Sequence, residues 1–311
     1  MNTINEIIKN TKGSTYERAF WNAMRLKSVD TDALREGKVP GASAFIVPSN
    51  EADKLKEGIT ENAVIRSLAT VHTHYEGGAD ILSASTDEYG AFVPEGNLIP
   101  DFDMMDDFKK IRTYLYKATS LVKVPSEFVY DASFDMQDYL MKRFSKTFAN
   151  AEDEAFINGT GINEPTGLLH PSDGAEVAAT VEALTYDAVI DLFFSVPKEC
   201  RKNAVWIMND ATALALRKMK DADGNYLWNQ ATDTILGKPV IICNEMPDAE
   251  TGKKPVLFGD LSYYWIIDRS PVCIKALEEL FAMNDQIGYI GYEFLDAKLI
   301  RADAVKVISI G

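Results

Sequence analysis

The sequence predicts an α+β fold built around one long helix, and three observations carry that prediction. Between residues 133 and 159, Met136, Leu140, Phe144, Phe148, Ala151 and Ala155 recur at steps of three or four, an apolar stripe of helical period. Short apolar and β-branched runs such as AVWIM (204–208) and VKVISI (305–310) read as strands on the C-terminal side of that helix. Strands and helices do not alternate regularly, which argues against a doubly wound parallel sheet.

The long helix justifies itself locally. Ser133 is a candidate N-cap, Asp135 suits the positive first turn, and Asn158-Gly159 reads as a left-handed stop. At 1.5 Å per residue it is roughly 36 Å long. Asp138, Lys142, Arg143, Lys146, Glu152 and Asp153 are assigned to its solvent face.

Thr3-x-x-Glu6 and Ser14-x-x-Glu17 have the spacing of capping boxes. The second opens a helix with Tyr16, Phe20 and Met24 on one face and Trp21 beside them. Residues 28–47, with Gly37, Pro40 and Gly41, read as an extended arm. Such a helix either docks on a neighbour or closes its own core, and the sequence leaves both open. Residues 50–68 read as a helix. Pieces 80–85 and 90–94, then a long strand at 109–124, form a hairpin-like excursion unable to bury a core of its own. Beyond the long helix, the pattern predicts helices at 185–197, capped by Thr185 and Asp187, and at 211–220, capped by Asn209. Strands at 204–208, 236–243, 255–258, 263–268, 271–280, 288–294 and 305–310 complete a mixed sheet.

Bulk properties narrow the class. At 311 residues the chain favours two compact units over one core. A hydrophobic content of 46% with 25% charged residues is that of a folded globular protein. No apolar run approaches the ~20 residues that cross a bilayer, and the first residues lack a secretion signal. Cys200, Cys243 and Cys273 are too few and too scattered for a disulfide framework and read as buried thiols. A net charge of −15 excludes a general nucleic-acid binder with a basic face, though not a wall that surrounds a polyanion without gripping it.

Chemistry-bearing motifs are sparse. His72 and His74 share one side of a strand but make only half a zinc site. Gly159-Thr-Gly161 has Glu164 where a dinucleotide fingerprint needs its third glycine, and it follows a helix instead of a strand. In Asp221-x-Asp223-Gly224-Asn225 the glycine comes too early for a calcium loop, and Thr232 stands where the bidentate glutamate belongs. Asp101, Asp103, Asp106 and Asp107 cluster in a polar region, where a solvated or interface-facing patch is favoured over acid–base work. No nucleophile elbow, HExxH or phosphate loop is present. Neither a catalytic centre, a cofactor nor a metal is predicted.

Several blocks together resemble the major capsid proteins of tailed bacteriophages. They are NAVIRSLATV (62–71), AFVPEGNLIP (91–100), SLVKVPSEFVYDASFDMQDYL (120–140) and FANAEDEAFINGTGINEPTGLL (148–169). RKNAVWIMNDATALALRKMKDADGNYLW (201–228), LGKPVIICNEMP (236–247) and FGDLSYYWIIDR (258–269) continue the series in order. The resemblance covers nearly the whole chain from about Tyr16. It implies the phage major capsid fold. An N-terminal helix and arm would occupy 1–45 and an extended loop 76–114, lying over an adjacent subunit. A peripheral domain would comprise 46–75, 115–166 with the spine helix, and 261–292. An axial domain at 167–260 would be rejoined by strands at 293–311.

The implied function is a self-assembling subunit forming hexamers and pentamers of an icosahedral shell. That shell would enclose double-stranded DNA without sequence-specific binding, and the chain would reside in the host cytoplasm before entering the virion. Candidate intersubunit contacts are Trp21, Phe92, Val93, Glu95, Leu98, Ile99 and Asp101.

Two features depart from relatives. Residues between Tyr75 and Phe108 include no lysine, which some relatives use for a lysine–asparagine cross-link, although Asn284 lies near the expected acceptor region. The chain reaches the matching region by about Tyr16, so scaffolding is expected from a separate protein or from a removed segment. Two alternatives are carried forward. One is an encapsulin-like nanocompartment shell of the same fold. The other is an enzyme using the acidic cluster or the His72/His74 pair.

Overall fold

The computed structural model describes residues 8, 11–27, 31–38, 44–73, 80–84, 108–220, 226, 228 and 234–311. The first helix, α1 (Ser14–Met24), buries Tyr16, Phe20, Trp21 and Met24. Ser14 lies inside its first turn behind Gly13, with no side-chain cap, so the predicted capping box does not form. The helix closes the core of its own chain: Tyr16 Oη donates to the Ile46 carbonyl at 2.6 Å, and Tyr289 Oη donates to the Met24 carbonyl at 2.8 Å.

A short α2 (Thr31–Arg35) and β1 (Phe45–Ile46) follow. The single helix predicted at 50–68 is two, α3 (Ser49–Asn62) and α4 (Val64–Leu68), broken at Ala63 with extended backbone. The break has a tertiary cause. Asp153 accepts from the free backbone N–H groups of Val64 and Ile65 at 2.8 and 2.9 Å, capping α4 from across the fold.

After β2 (Thr70–Thr73), β3 (Ile81–Ala84) and β4 (Phe108–Ile111) pair antiparallel as a two-stranded ribbon. The strand predicted over 109–124 divides into β4 and β5 (Tyr116–Pro125). Between them the Tyr114 N–H donates to Asp296 Oδ2 at 2.7 Å instead of to a neighbouring strand.

A turn of helix, α5 (Ser126–Tyr130), leads to α6 (Met136–Asn158), the predicted spine. With 23 residues it is about 34 Å long. Asp135, not Ser133, caps it by accepting from the Asp138 N–H at 3.1 Å; Ser133 turns back to Asp131. The stop is not left-handed, since Gly159 has φ −57°. Glycine is required there by crowding: a Cβ would collide with the carbonyl oxygens of Ala155 and Pro165. Gly159→Ala is therefore expected to destabilise the fold by about 1–3 kcal/mol, read as a lowered thermal midpoint. An unchanged midpoint would mean that the following loop yields at no cost.

The buried face of α6 follows the predicted stripe as far as Phe148 and then rotates. Ala151 is exposed, whereas Glu152, Asp153, Phe156 and Ile157 are buried. Glu152 and Asp153, assigned above to the solvent face, thus point inward.

The remaining elements are β6 (Glu176–Val181), α7 (Tyr186–Ser195), β7 (Val205–Met208), α8 (Asp210–Arg217), β8 (Thr234–Ile235), β9 (Lys238–Ile242), β10 (Val256–Gly259), β11 (Tyr264–Asp268), β12 (Cys273–Leu277), β13 (Gln286–Leu299) and β14 (Val305–Ile310). Thr185 and Asn209 cap α7 and α8 through the N–H groups of Ala188 and Thr212. Leu236 and Gly237, both with positive φ, turn β8 into β9.

These strands build two mixed sheets where one was predicted. The first runs β1-β12-β13-β11-β2, with β5 also paired to β13; the second runs β6-β14-β10-β7-β9-β8. β13 runs unbroken across the 292/293 boundary, pairing with β5 and β12 early and with β11 late.

Two large apolar cores fill the fold, the second drawing also on Tyr264, Ile266, Leu295 and Ala297 of the first sheet. One gathers Tyr16, Phe20, Phe144, Phe148 and Tyr289 between α1, α3, α6 and the first sheet; the other gathers Phe156, Trp206, Phe258 and Val307 around the second. α6 serves both, with its N-terminal part in one and Phe156 and Ile157 in the other. Gly291 lets it approach β13, because a Cβ there would press on the rings of Phe144 and Phe148 at 2.9–3.2 Å. Burying each of those rings contributes about 1.5–3 kcal/mol.

Candidate functional site

Along α6 the two apolar cores are separated by charge. Arg66 on α4 is 6% exposed, and its guanidinium takes Glu152 of α6 in a bidentate pair, both contacts at 2.7 Å. The same guanidinium donates to Asp268 of β11 at 3.0 Å, and Lys56 of α3 reaches that carboxylate at 3.3 Å. Glu293 of β13 closes the cluster. It is buried, it hydrogen-bonds Glu152, and its Oε1 has no partner. One buried cation and one half-buried cation thus face three buried carboxylates.

Physical chemistry assigns the protonation. Burial, and then the charge of Glu152 beside it, push the Glu293 carboxyl well above the ordinary range, so it carries a proton. Burial would also raise Asp268, but Arg66 and Lys56 outweigh it and hold this carboxyl low. Arg66, opposed by burial but flanked by Glu152 and Asp268, stays firmly charged. Burial raises Asp153 as well, with its bonds to the Val64 and Ile65 N–H groups working against the shift. The arrangement is a lock. It joins α3, α4, α6, β11 and β13 where the two cores meet, and it holds no nucleophile.

Of the candidate intersubunit residues, Phe92, Val93, Glu95, Leu98, Ile99 and Asp101 lie outside the described residues, as does the acidic cluster from Asp101 to Asp107. Trp21 is 5% exposed and stands edge-on to Phe20 at 5.1 Å inside its own chain's core, so it offers no surface to a neighbour. The stripe that identified it marks intrachain packing.

His72 sits on the exposed strand β2 and packs against Trp265, ring centroids 4.5 Å apart and planes tilted by 54°; His74 and residues 221–225 lie outside the described residues. Cys200, Cys243 and Cys273 are buried free thiols, and burial pushes Cys243 up to about 11 and Cys273 up to about 12. Among the described residues no group of side chains is arranged to hold a metal ion, and no helix is long and apolar enough to cross a membrane. A groove of about 560 Å³ between α3 and α6 is lined by charges of both signs, including Glu51, Lys54, Asp138 and Lys142.

Sequence reasoning missed Arg66, Asp268 and Glu293. For Arg66 and Glu293 the signal is a lone charge inside an apolar run, VIRSL and GYEFL; Asp268 closes the run WIID just before Arg269.

Two sheets share one spine helix, fixed by a buried ionic lock. The comparisons identify the family. The chain belongs to the phage capsid family, whose model matches residues 43–310. Among solved structures, the capsid of an empty GTA particle is 27% identical with a TM-score of 0.66, covering 80% of this chain and 90% of that one. The capsid of the native GTA particle is 25% identical with a TM-score of 0.67, covering 88% and 94%. A Microbacterium phage Oxtober96 structure, at 18% identity, TM-score 0.58 and coverage of 90% and 98%, shows the same fold. So does a virus-like particle from Pyrococcus furiosus, at 11% identity, TM-score 0.54 and coverage of 84% and 99%. No curated protein sequence matches this chain. The chain is a structural subunit of a capsid shell, and its place is the capsid of the virion or of a phage-derived particle.

Proposed function

We propose that this chain assembles through hexamers and pentamers into a closed icosahedral shell around double-stranded DNA, passing through the host cytoplasm before assembly. The observation that carries this reading is the capsid likeness over residues 43–310. The GTA capsids were computed with C5 symmetry, which supports five-fold rings. Many modest symmetric contacts then add to a shell whose stability belongs to the lattice. A net charge of −15 suits a wall that contains a polyanion without binding it.

In this reading the first sheet with α6 forms the peripheral domain, and the second sheet forms the axial domain whose loops meet at ring centres. The segment 76–114 forms the extended loop, with Phe92, Val93, Glu95, Leu98, Ile99 and Asp101 among its contacts. Scaffolding comes from a separate protein or a removed segment. No lysine lies between Tyr75 and Phe108, so that stretch of the loop offers no amine for a lysine–asparagine cross-link to Asn284; the loop's lysines are Lys109 and Lys110.

The test is particle size by light scattering and negative-stain microscopy, on protein expressed alone and with a scaffold, at low and raised salt. Rings or shells enclosing nuclease-protected DNA are the expected outcome. Empty or protein-filled shells would favour the nanocompartment alternative. A strict monomer under every condition would count against assembly.

A further inference from the structure

The last turn of α6 meets the second sheet through a pair of carboxyl groups. Glu154 lies on the exposed side of the helix, and Glu245 is half-buried in the loop that follows β9. The two side chains are hydrogen-bonded to each other. Asn158, one turn further along α6, holds the same place: its Nδ2 donates to the Glu245 carbonyl at 2.9 Å and to Glu154 Oε1 at 3.4 Å. A carboxylate only accepts, so a hydrogen bond between two carboxyls needs one proton. The contact therefore lasts only while that proton is present.

The surroundings offer no cation to replace it. Asp153 of α6 adds a third carboxyl facing Glu245, and burial keeps the nearby Cys243 thiol neutral by pushing it up to about 11. Arg66, whose charge reaches Asp153, is committed to Glu152 and Asp268. Asp248, further along the loop, accepts from Asn209 Nδ2 at 2.6 Å. Among the described residues no lysine, arginine or histidine pairs with Glu154 or Glu245. The hydrogen bond with Glu154, then burial, then the charges of Glu154 and Asp153 push the Glu245 carboxyl up to about 7. On its other side the loop is fixed to the second sheet. The Cys243 N–H donates to the Met208 carbonyl at 2.9 Å, and Asn209 Nδ2 donates to the Met246 carbonyl at 3.2 Å.

We propose that Glu154 and Glu245 act as a proton-operated latch between the spine helix and the second sheet. With the shared proton in place, the latch clasps the loop at 243–248 to α6. With both carboxylates charged they repel, and Asn158 and the sheet are left to hold the loop. The latch belongs to the single subunit and is independent of the shell reading. Its direction follows from linkage. Glu245 titrates near pH 4.3 when the loop is open and about 7 when it is latched, so closure is fully favoured below pH 4.3 and weakens as pH rises toward 7. The opening equilibrium grows by at most about tenfold per pH unit in that window, and solvent around Glu154 lowers the slope.

The test is hydrogen–deuterium exchange of dissociated full-length subunits between pH 5 and 8, read by mass spectrometry and corrected for the intrinsic exchange rate at each pH. Peptides covering 243–248 are expected to lose protection severalfold per unit from pH 5 to 7 and to level off above it. Glu245→Gln keeps a donor toward Glu154 but has no proton to lose, so its profile over these peptides should be flat. A Glu245→Gln profile parallel to that of the wild type assigns the pH dependence to other groups and overturns the latch. Constant wild-type protection of the loop from pH 5 to 7 overturns it too. So does an equal loss of protection in peptides of β14, which would make the loosening global.

Discussion

Arg66→Ala is expected to destabilise the subunit by about 3–5 kcal/mol, because it leaves buried carboxylates without their cation. Glu152 and Asp268 both bond this guanidinium at 2.7–3.0 Å, and neither has solvent to turn to. The loss comes mainly from the charges left behind, so a second substitution should recover part of it. Arg66→Met combined with Glu152→Met keeps apolar bulk at the seam and is expected to be markedly more stable than Arg66→Ala. Denaturant unfolding of dissociated subunits measures both. A midpoint for Arg66→Ala within error of the wild type would sink the lock, and so would a double variant no better than the single one.

Glu293→Gln is the second large effect, and it appears as a change in pH dependence. The folded chain keeps a proton on Glu293 that the unfolded chain releases near pH 4.3. A raised folded-state pKa contributes stability that is fully present below that pH and is lost as pH rises toward the folded value. The loss runs at about 1.4 kcal/mol per pH unit over this window. Glutamine keeps the shape and a donor toward Glu152 but has no proton to lose. The wild type should therefore fall relative to Glu293→Gln as pH is raised from about 5 to 8. Raised Asp153 and lowered Asp268 titrate in both proteins, so the difference between the two curves isolates Glu293. Parallel stability–pH curves for the two proteins would show that Glu293 is ionised in the fold. The two predictions meet in one place, since the same buried cluster fixes the spine helix against both sheets.

The family was legible because it is written in contiguous blocks. The Asn209 and Thr185 caps, the strand at 305–310 and the apolar run from Met136 to Phe148 need only neighbours in sequence to form. The burial of three scattered cysteines follows from their apolar surroundings, which local composition also records. The extended loop proposed for 76–114 rests on the resemblance, and the acidity of its sequence on counting.

What failed to show were features whose cause lies far along the chain. The break at Ala63 depends on a carboxylate at 153, and the break before β5 on one at 296. Periodicity at 50–68 and 109–124 cannot register either. The rotation of the α6 stripe onto Glu152 and Asp153 is the same case. By sequence alone two adjacent acids belong in water, and only Arg66 and the exposed N–H groups of α4 give them reason to be buried.

Likewise, Trp21 read equally well as an anchor for a neighbour until β13 and β1 supplied the acceptors and donors that seat α1 at home. The division of the strands into two sheets also had no local signature, because a buried strand has the same composition whichever sheet it joins. Sequence by itself determined the local elements, the acidic balance and the capsid kinship. Tertiary structure alone decided which charges are buried and where the two cores are locked. Those outcomes depend on contacts between residues far apart in the chain, such as Arg66 and Asp268, 202 positions apart, which neither spacing nor propensity encodes.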